Sequence, residues 1–402
     1  MSFRKLCAVA NDQKCALAFG SFISMKASLI MSLPRVLSIQ SHTVFGFVGN
    51  KAATFPLQTM GFNVDCINTV SLSNHPAYAA GCKGKALEPD TLSDIISGLE
   101  SNSLLNYDVV LTGYTRSEEH LEVIEQTVKK IRTVNPKVLY LCDPVLGDNG
   151  DYYVPSKLLD IYKEKLLPIA NIVTPNMFES QVLSGMAIHT YADAIEACGR
   201  IHAMGPDICI LTGLTLSCLP SDKLTSVISV KSWECLEKYK YHAHTHTPSL
   251  HTPVAHTPSS ASCTSDDQVA YQVTFQKEAG YFAGCGDLLA ALTVASTHYL
   301  RCAENFFPSS EGGIKGNVPT HTTQTLTHTH THTHTHTSTL SLTPAVLGDI
   351  LEHLVQSMSK VVTNTRVRGS RELSVLESRH VYEHHVTSMF GQGVYGYRYG
   401  LG

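Results

Sequence analysis

No stretch of this 402-residue chain reaches the roughly 18 uninterrupted apolar residues that a membrane-spanning helix needs, so no membrane partner is expected. Neither sign of charge dominates: 30 Lys and Arg against 34 Asp and Glu leave a formal net charge of −4. Nucleic-acid binding would require a concentrated basic face, and none is written here. The 12 cysteines are scattered singly, with no C-x-x-C pair. That spacing excludes a disulfide scaffold or a zinc module and fits a reducing compartment. Two phosphate-binding signatures are missing as well. A Walker loop requires G-x-x-x-x-G-K-[ST], and the nearest approach, "AAGCKGKA" (79–86), lacks the first Gly and the closing Ser or Thr. No G-x-G-x-x-G follows the first strand-like run, so a dinucleotide fingerprint is absent too.

What is present is enough apolar sequence, 43% of residues, for one large domain or two smaller ones. From Arg35 onward, short apolar runs alternate with amphipathic segments. "RVLSIQS" (35–41), "FNVDCINTV" (62–70), "YDVVLTGY" (107–114), "KVLYLCDPVLG" (137–147), "ANIVTP" (170–175) and "DICILTG" (207–213) read as strands. Between them, "SEEHLEVIEQTVKKIRTV" (117–134) repeats Leu121, Ile124, Val128, Ile131 and Val134 at helical spacing. Near-continuous apolar strands separated by helices predict an α/β fold, a central mostly parallel sheet flanked by helices on both faces. Ligands in such folds bind beyond the carboxyl ends of the strands. Several runs end there in small or polar residues: Ser41 and His42, Thr112 and Gly113, Asp143 and Pro144, Thr174 and Pro175, Thr212 and Gly213.

The stretch "GCGDLLAAL" (284–292) is a glycine-rich turn entering a helix. Such a turn presents backbone N–H groups at the positive end of a helix dipole, which binds phosphate. Asp287, at the helix start, could take a proton from an alcohol attacking phosphorus. An Asp near a helix start is also an ordinary capping residue, so other features must add weight. "CDPVLGD" (142–148) sets Asp143 and Asp148 at a strand end, and "TPNMFE" (174–179) adds Thr174, Asn176 and Glu179 at another. Carboxylates and neutral oxygens at one sheet edge suit Mg²⁺ and the phosphates that accompany it, although Asp-Pro and Thr-Pro-Asn also make turns with no ligand.

Those motifs, with "RVLSIQSHTVFGFVGNKAATFPLQTMGF" (35–62), "SNHPAY" (73–78), "LTGYTR" (111–116) and "YVP" (153–155), resemble in identity and order the pyridoxal kinase family of the ribokinase-like superfamily. The likeness is nearly continuous from Arg35 to about Thr212, resumes around 269–300 and extends over 345–385. The resemblance implies transfer of the γ-phosphoryl of ATP to the 5′-hydroxyl of pyridoxal, pyridoxine or pyridoxamine, the salvage of vitamin B6 to pyridoxal 5′-phosphate. Asp287 would be the catalytic base, and Gly284, Cys285 and Gly286 the anion hole. Asp143, Asp148, Thr174 and Glu179 would serve the ATP–cation site, with Thr212, Gly284 and Cys285 near the nucleotide phosphates. Ser41 would contact the polar edge of the vitamin ring, Val48 its face, and Tyr114 would help to cover it. Position 76 would also lie on the vitamin. The family's habits imply Mg²⁺ or Zn²⁺, K⁺ or Na⁺, a homodimer and the cytosol.

Three departures from the family pattern stand out. Cys285 occupies the Thr position of the family's GTGD, which keeps the backbone donors but exchanges a hydroxyl for a weak thiol donor. Pro76 replaces the Thr that follows "SNH", removing a ring contact and a backbone N–H. The segment after "YLCDPVLGDNG" is shorter than usual, and 214–268 match poorly where the flap and adenine contacts belong. These departures keep alive an alternative, a catalytically impaired relative that binds vitamer or a partner without turnover. A sibling kinase acting on a sugar or hydroxymethylpyrimidine is disfavoured by "SIQSH" and "GYTR".

The expected organisation is an N-terminal extension over 1–34, kinase sequence over 35–241, an insertion over 242–268, the anion hole and its helix over 269–302, a second insertion over 303–343, a closing part over 344–388 and a tail over 389–402. In the extension, Arg4 and Lys5 precede a mildly apolar run at 15–24, faintly like a targeting peptide. Asp12 and Lys14 sit ahead of that run, and an unstructured extension with Met25 or Met31 as alternative starts is the favoured reading. "HAHTHTPSLHTPVAHTPSSAS" (242–262) and "THTTQTLTHTHTHTHTHTSTLSLT" (320–343) carry 11 of the 21 histidines. Alternating Thr and His builds no packed core. A metal-binding surface is one reading. The other is translated non-coding DNA, because a CA repeat reads as Thr-His-Thr-His. The second hypothesis predicts that transcript reads skip both tracts, and transcripts continuous through them would overturn it.

Overall fold

Six of the apolar runs become the parallel centre of one sheet. The structure, a computed structural model, describes residues 33–232, 235, 262–263, 268–280, 282–302, 344–370 and 372–390. The chain divides into two units, Met1–Pro34 and Arg35–Gly402, and the description concerns the second. The readings made for 1–32, for 303–343, for most of the tract at 242–262 and for the tail beyond 390 lie outside the described residues.

The strands are β1 (Arg35–Thr43), β2 (Asn63–Leu72), β3 (Gly84–Ala86), β4 (Val109–Thr112), β5 (Leu139–Cys142), β6 (Gly147–Asp148), β7 (Asp151–Tyr152), β8 (Ile172–Val173), β9 (Ile208–Leu214), β10 (Lys223–Val230), β11 (Ser262–Cys263) and β12 (Val269–Gln276). The helices are α1 (Asn50–Thr59), α2 (Pro89–Ser101), α3 (Glu118–Val134), α4 (Leu158–Ile161), α5 (Met177–Ser184), α6 (Tyr191–Ala203), α7 (Cys285–Cys302), α8 (Pro344–Val367) and α9 (Arg379–Phe390). The main sheet runs β11-β12-β10-β9-β8-β5-β4-β1-β2-β3, while β6 and β7 form a separate hairpin. Pairing is parallel from β2 through β1, β4, β5 and β8 to β9, and antiparallel at both flanks, where β3, β10, β12 and β11 add on.

Every residue of β4 and β5 is buried, as strands covered on both faces must be. Alternate residues of those strands point into two cores. Val109, Leu111, Leu139 and Leu141 meet Leu57 of α1, Leu288 and Leu292 of α7 and Leu354 of α8. Val110, Tyr140 and Cys142 meet Leu92 of α2, Leu121 and Ile124 of α3 and Ile201 of α6. The predicted helix over 117–134 forms with Ser117 as its cap, the side chain accepting the His120 N–H. The four antiparallel strands β3, β10, β11 and β12 lie outside the six apolar runs, and the two long ones show why. β10 ("KLTSVISV") interleaves Thr and Ser with its apolar residues, and β12 ("VAYQVTFQ") is only partly buried, so neither has the continuous apolar run of a central strand.

The chain passes from β1 to β2 on one side and later to β4 on the other. That reversal opens a crevice beyond the carboxyl ends of β1 and β4, where doubly wound sheets take ligands.

Candidate active site

Three segments converge at that edge. The first is the loop 44–49 between β1 and α1. Its direction is set by backbone bonds to the neighbouring β2 end, with the Val44 N–H donating to Leu72 O at 2.8 Å and the Phe45 N–H to Ser73 O at 2.9 Å. Ser41, at the end of β1, and Val48 are both largely buried.

The second is the turn into α7. Gly284 has φ +87°, a conformation that L side chains rarely adopt, and a Cβ there would collide with the Phe47 carbonyl. The glycine is therefore required twice, for its backbone and for the closeness of the loop. Its carbonyl accepts the Leu288 N–H at 3.0 Å and begins the helix, which leaves the N–H groups of the first turn free of helical partners. Behind them, Leu288, Ala290, Ala291 and Leu292 are fully buried and anchor the turn in the core. The Gly49 N–H lowers the Asp287 carboxyl against the effect of burial, which links the second segment to the first.

The third is the end of β5. The Asp143 N–H donates to Thr112 O at 2.9 Å, and the Thr174 hydroxyl donates to Asp143 Oδ1 at 2.9 Å. The other carboxylate oxygen faces Gly286, whose Cβ, if present, would stand 3.8 Å from it. Asp143, Thr174 and residues 284–287 thus form one group, with Gly49 and Ser41 beside it.

Glu179 is buried with both oxygens engaged: Oε1 accepts the N–H groups of Leu146 (3.0 Å) and Gly147 (3.4 Å), and Oε2 that of Asn176 (2.9 Å). It closes a capping box with Asn176 at the start of α5 and ties the turn after Asp143 to that helix. Asp148 lies on the β6–β7 hairpin, its oxygens accepting from the Asn149 N–H and side-chain amide. Thr212 bridges to Asn176 from β9. Tyr114 follows β4, its carbonyl accepting the Thr69 hydroxyl at 2.7 Å. Pro76 is exposed on the β2–β3 loop. Cys285, in the first turn of α7, is partly exposed.

Charge is held here at a cost. Burial first and the nearby Asp287 charge second, with the Thr174 hydroxyl offsetting part of the effect, bring the Asp143 carboxyl up to about 7. Asp287 is also raised by burial, against the opposing effect of the Gly49 N–H. Glu179 is raised well above its ordinary value, first by burial and then by Asp143. Burial and the Asp287 charge move the Cys285 thiol up to about 12, so it is a neutral thiol near neutral pH and not a nucleophile. Gly49 matters to the geometry through its N–H, although its motif assigns it no role, and so does Glu372, outside every motif, which accepts the Phe47 N–H at 3.1 Å. Glu372 could not be found by spacing, because its partner lies 325 residues away.

The family model described as Phosphomethylpyrimidine kinase matches residues 81–247. Pyridoxal kinase of Homo sapiens is 40% identical over 268 residues, covering 66% of this chain and 77% of that protein. Pyridoxal kinase of Arabidopsis thaliana is 49% identical over 192 residues, 47% of this chain and 62% of that one. Among solved structures, the pyridoxal kinase of Leishmania donovani in complex with ADP and pyridoxine superposes with a TM-score of 0.63 at 28% identity, over 87% of this chain and 95% of the other.

The raised carboxyl carries a stability prediction. An acid whose folded pKa exceeds its unfolded value near 3.8 binds more protons when folded, so stability falls as pH rises from about 4 to about 7. In cation-free buffer Asp143→Asn is expected to stabilise the protein at pH 8 by more than about 1.4 kcal/mol, the worth of one pKa unit, and to change little at pH 4. Melting curves at the two pH values test this, and an unchanged midpoint at pH 8 would count against a strained charge.

Proposed function

This chain belongs to the pyridoxal kinase family, and from that premise we infer what its own residues do. It is an enzyme, a kinase that uses ATP to phosphorylate the 5′-hydroxyl of pyridoxal, pyridoxine and pyridoxamine. The observation that supports the assignment of roles is Asp287 in the first turn of α7, with the Gly49 N–H beside it and the Phe47 carbonyl pressed against Gly284.

Phosphoryl transfer asks mainly for positioning and charge stabilisation. The N–H groups at the start of α7, on Gly284, Cys285 and Gly286, point with the helix dipole toward the place where negative charge gathers. Asp287 removes the proton of the 5′-hydroxyl as that oxygen attacks, and its upward-shifted pKa makes it a stronger base than an exposed carboxylate. Ser41 and Val48 hold the vitamin ring from the β1 side, with Tyr114 and the loop around Pro76 closing over it. Thr212 and Thr174 lie on the nucleotide side.

A divalent cation, Mg²⁺ or Zn²⁺, fits the donor set. The Asp287 charge raises the Asp143 carboxyl, a repulsion that a cation would relieve, and Mg²⁺ is commonly held by one or two carboxylates together with substrate phosphates and water. Asp143 would be the direct ligand. Glu179, already receiving three N–H donors, and Asp148, on its hairpin, would act through water, with Thr174 orienting Asp143. When bound, the ion would neutralise phosphate charge. A monovalent K⁺ or Na⁺, a homodimer and a cytosolic location complete the proposal on the family resemblance. Among the described residues, no helix is long and apolar enough to cross a membrane.

Cys285 and Pro76 favour a second reading, binding without turnover. Formation of pyridoxal 5′-phosphate from pyridoxal and Mg-ATP separates the two. The wild-type chain is expected to form product, and Asp287→Asn to be slower by about 10²–10⁴-fold, the usual worth of a general base. No product from a chain that is folded by circular dichroism would support the impaired relative. Cys285→Thr is expected to raise kcat by about tenfold, the lower range for a hydrogen bond to a charged group. Unchanged kinetics would remove the side chain at 285 from the mechanism.

A further inference from the structure

We propose that Glu372 is a positioning residue for the vitamin-binding side of the site, a latch that fixes two acceptor loops against the anion hole. The inference rests on the kinase reading above.

Glu372 lies between α8 and α9, and its own backbone is held on two sides. It forms a parallel bridge with Ala283, the residue immediately before Gly284. Its N–H donates to Ser370 Oγ at 3.0 Å, and its carbonyl accepts the same hydroxyl at 2.8 Å. From this fixed base the side chain reaches two loops. Oε2 accepts the Phe47 N–H at 3.1 Å and Oε1 accepts the Tyr78 hydroxyl at 2.7 Å. Gly46, at φ +89°, has no Cβ in the way; any side chain there would run into the carboxylate.

One carboxylate therefore ties loop 44–49, loop 73–83 and the entrance to α7 together. The two loops also touch each other, with the rings of Phe45 and Tyr78 edge to face at 6.4 Å. Val48 and Gly49 follow Phe47 directly. The carbonyl of Phe47 presses on Gly284 while its N–H is held by Glu372. A shift of Phe47 would move both the residue placed on the vitamin face and the N–H that steadies Asp287. Nothing in the described contacts of Glu372 reaches the nucleotide side, where Thr174 and Thr212 stand. Its effect should therefore fall on the vitamin and not on ATP.

The experiment compares wild type, Glu372→Ala, Glu372→Gln and Tyr78→Phe. Glu372→Ala is expected to raise KM for pyridoxal about ten- to hundredfold, the range for losing hydrogen bonds to a charged group, with KM for Mg-ATP unchanged. Glu372→Gln, which keeps one acceptor oxygen, should recover part of the loss, and Tyr78→Phe should show a smaller shift of the same kind. Backbone hydrogen exchange should quicken in 44–49 and 74–81 but not in β4 or β5. Equal shifts in both KM values, or a loss of active fraction with neither KM changed, would overturn the latch. If Glu372→Ala does not fold, Tyr78→Phe decides between the same outcomes. If the wild type forms no product, the kinase reading fails on its own, and exchange in the two loops still decides the latch: faster exchange in Glu372→Gln supports it, unchanged exchange refutes it.

Discussion

Two carboxylates, the buried Asp143 and the half-buried Asp287, lie within range of each other's charge, and the rest of the site is arranged around that repulsion. Water would relieve it by solvating both groups, and a hydrophobic fold would ordinarily exclude one of them. Here the sheet edge supplies Thr174 for one acid, the loop supplies the Gly49 N–H for the other, and the dipole of α7 adds positive potential between them. These donors reduce the strain without removing it, since both acids remain raised. A site that keeps negative groups under tension is prepared for a substrate that brings cations with it and takes a proton away.

The architecture is tuned to sustain that tension. α7 enters the core with almost every apolar residue of its first turns buried, so its start cannot drift away from Asp143. Glu179 spends its charge on three backbone donors and clamps the turn after β5 to α5. The position read from its motif as part of the ATP–cation site is, in the fold, the keystone of a capping box.

Legibility followed the physics of each element. Among the six central strands, β4 and β5 were the plainest to read, because strands covered on both faces are apolar throughout and "VVLT" and "LYLC" have no competing pattern. β10 and β12, antiparallel and mixed in polarity, carry no such run. The site was legible wherever a motif brings its own turn chemistry: Asp143 with Pro144, Thr174 with Pro175 and Asn176, and Asp287 behind two glycines. It was illegible where the contribution is a backbone N–H, as at Gly49, or a pairing across most of the chain, as at Glu372. No local spacing encodes either. Cys285 shows a different limit. The sequence reveals a thiol in place of a hydroxyl, but that the thiol is neutral follows only from its burial beside Asp287.

The bond between Phe47 and Glu372 also has a meaning in time. The loop that Glu372 holds lies between the first two elements, β1 and α1, and leaves the ribosome early, whereas its partner follows 325 residues later. At about 5–20 residues per second, the loop waits roughly 16 to 65 s for its clasp. During that interval β1, β4 and β5 can already pair, yet the acceptor side has no fixed shape. A nascent or truncated chain would therefore carry a formed sheet without a formed vitamin pocket, and binding competence would arrive as one of the last events of synthesis.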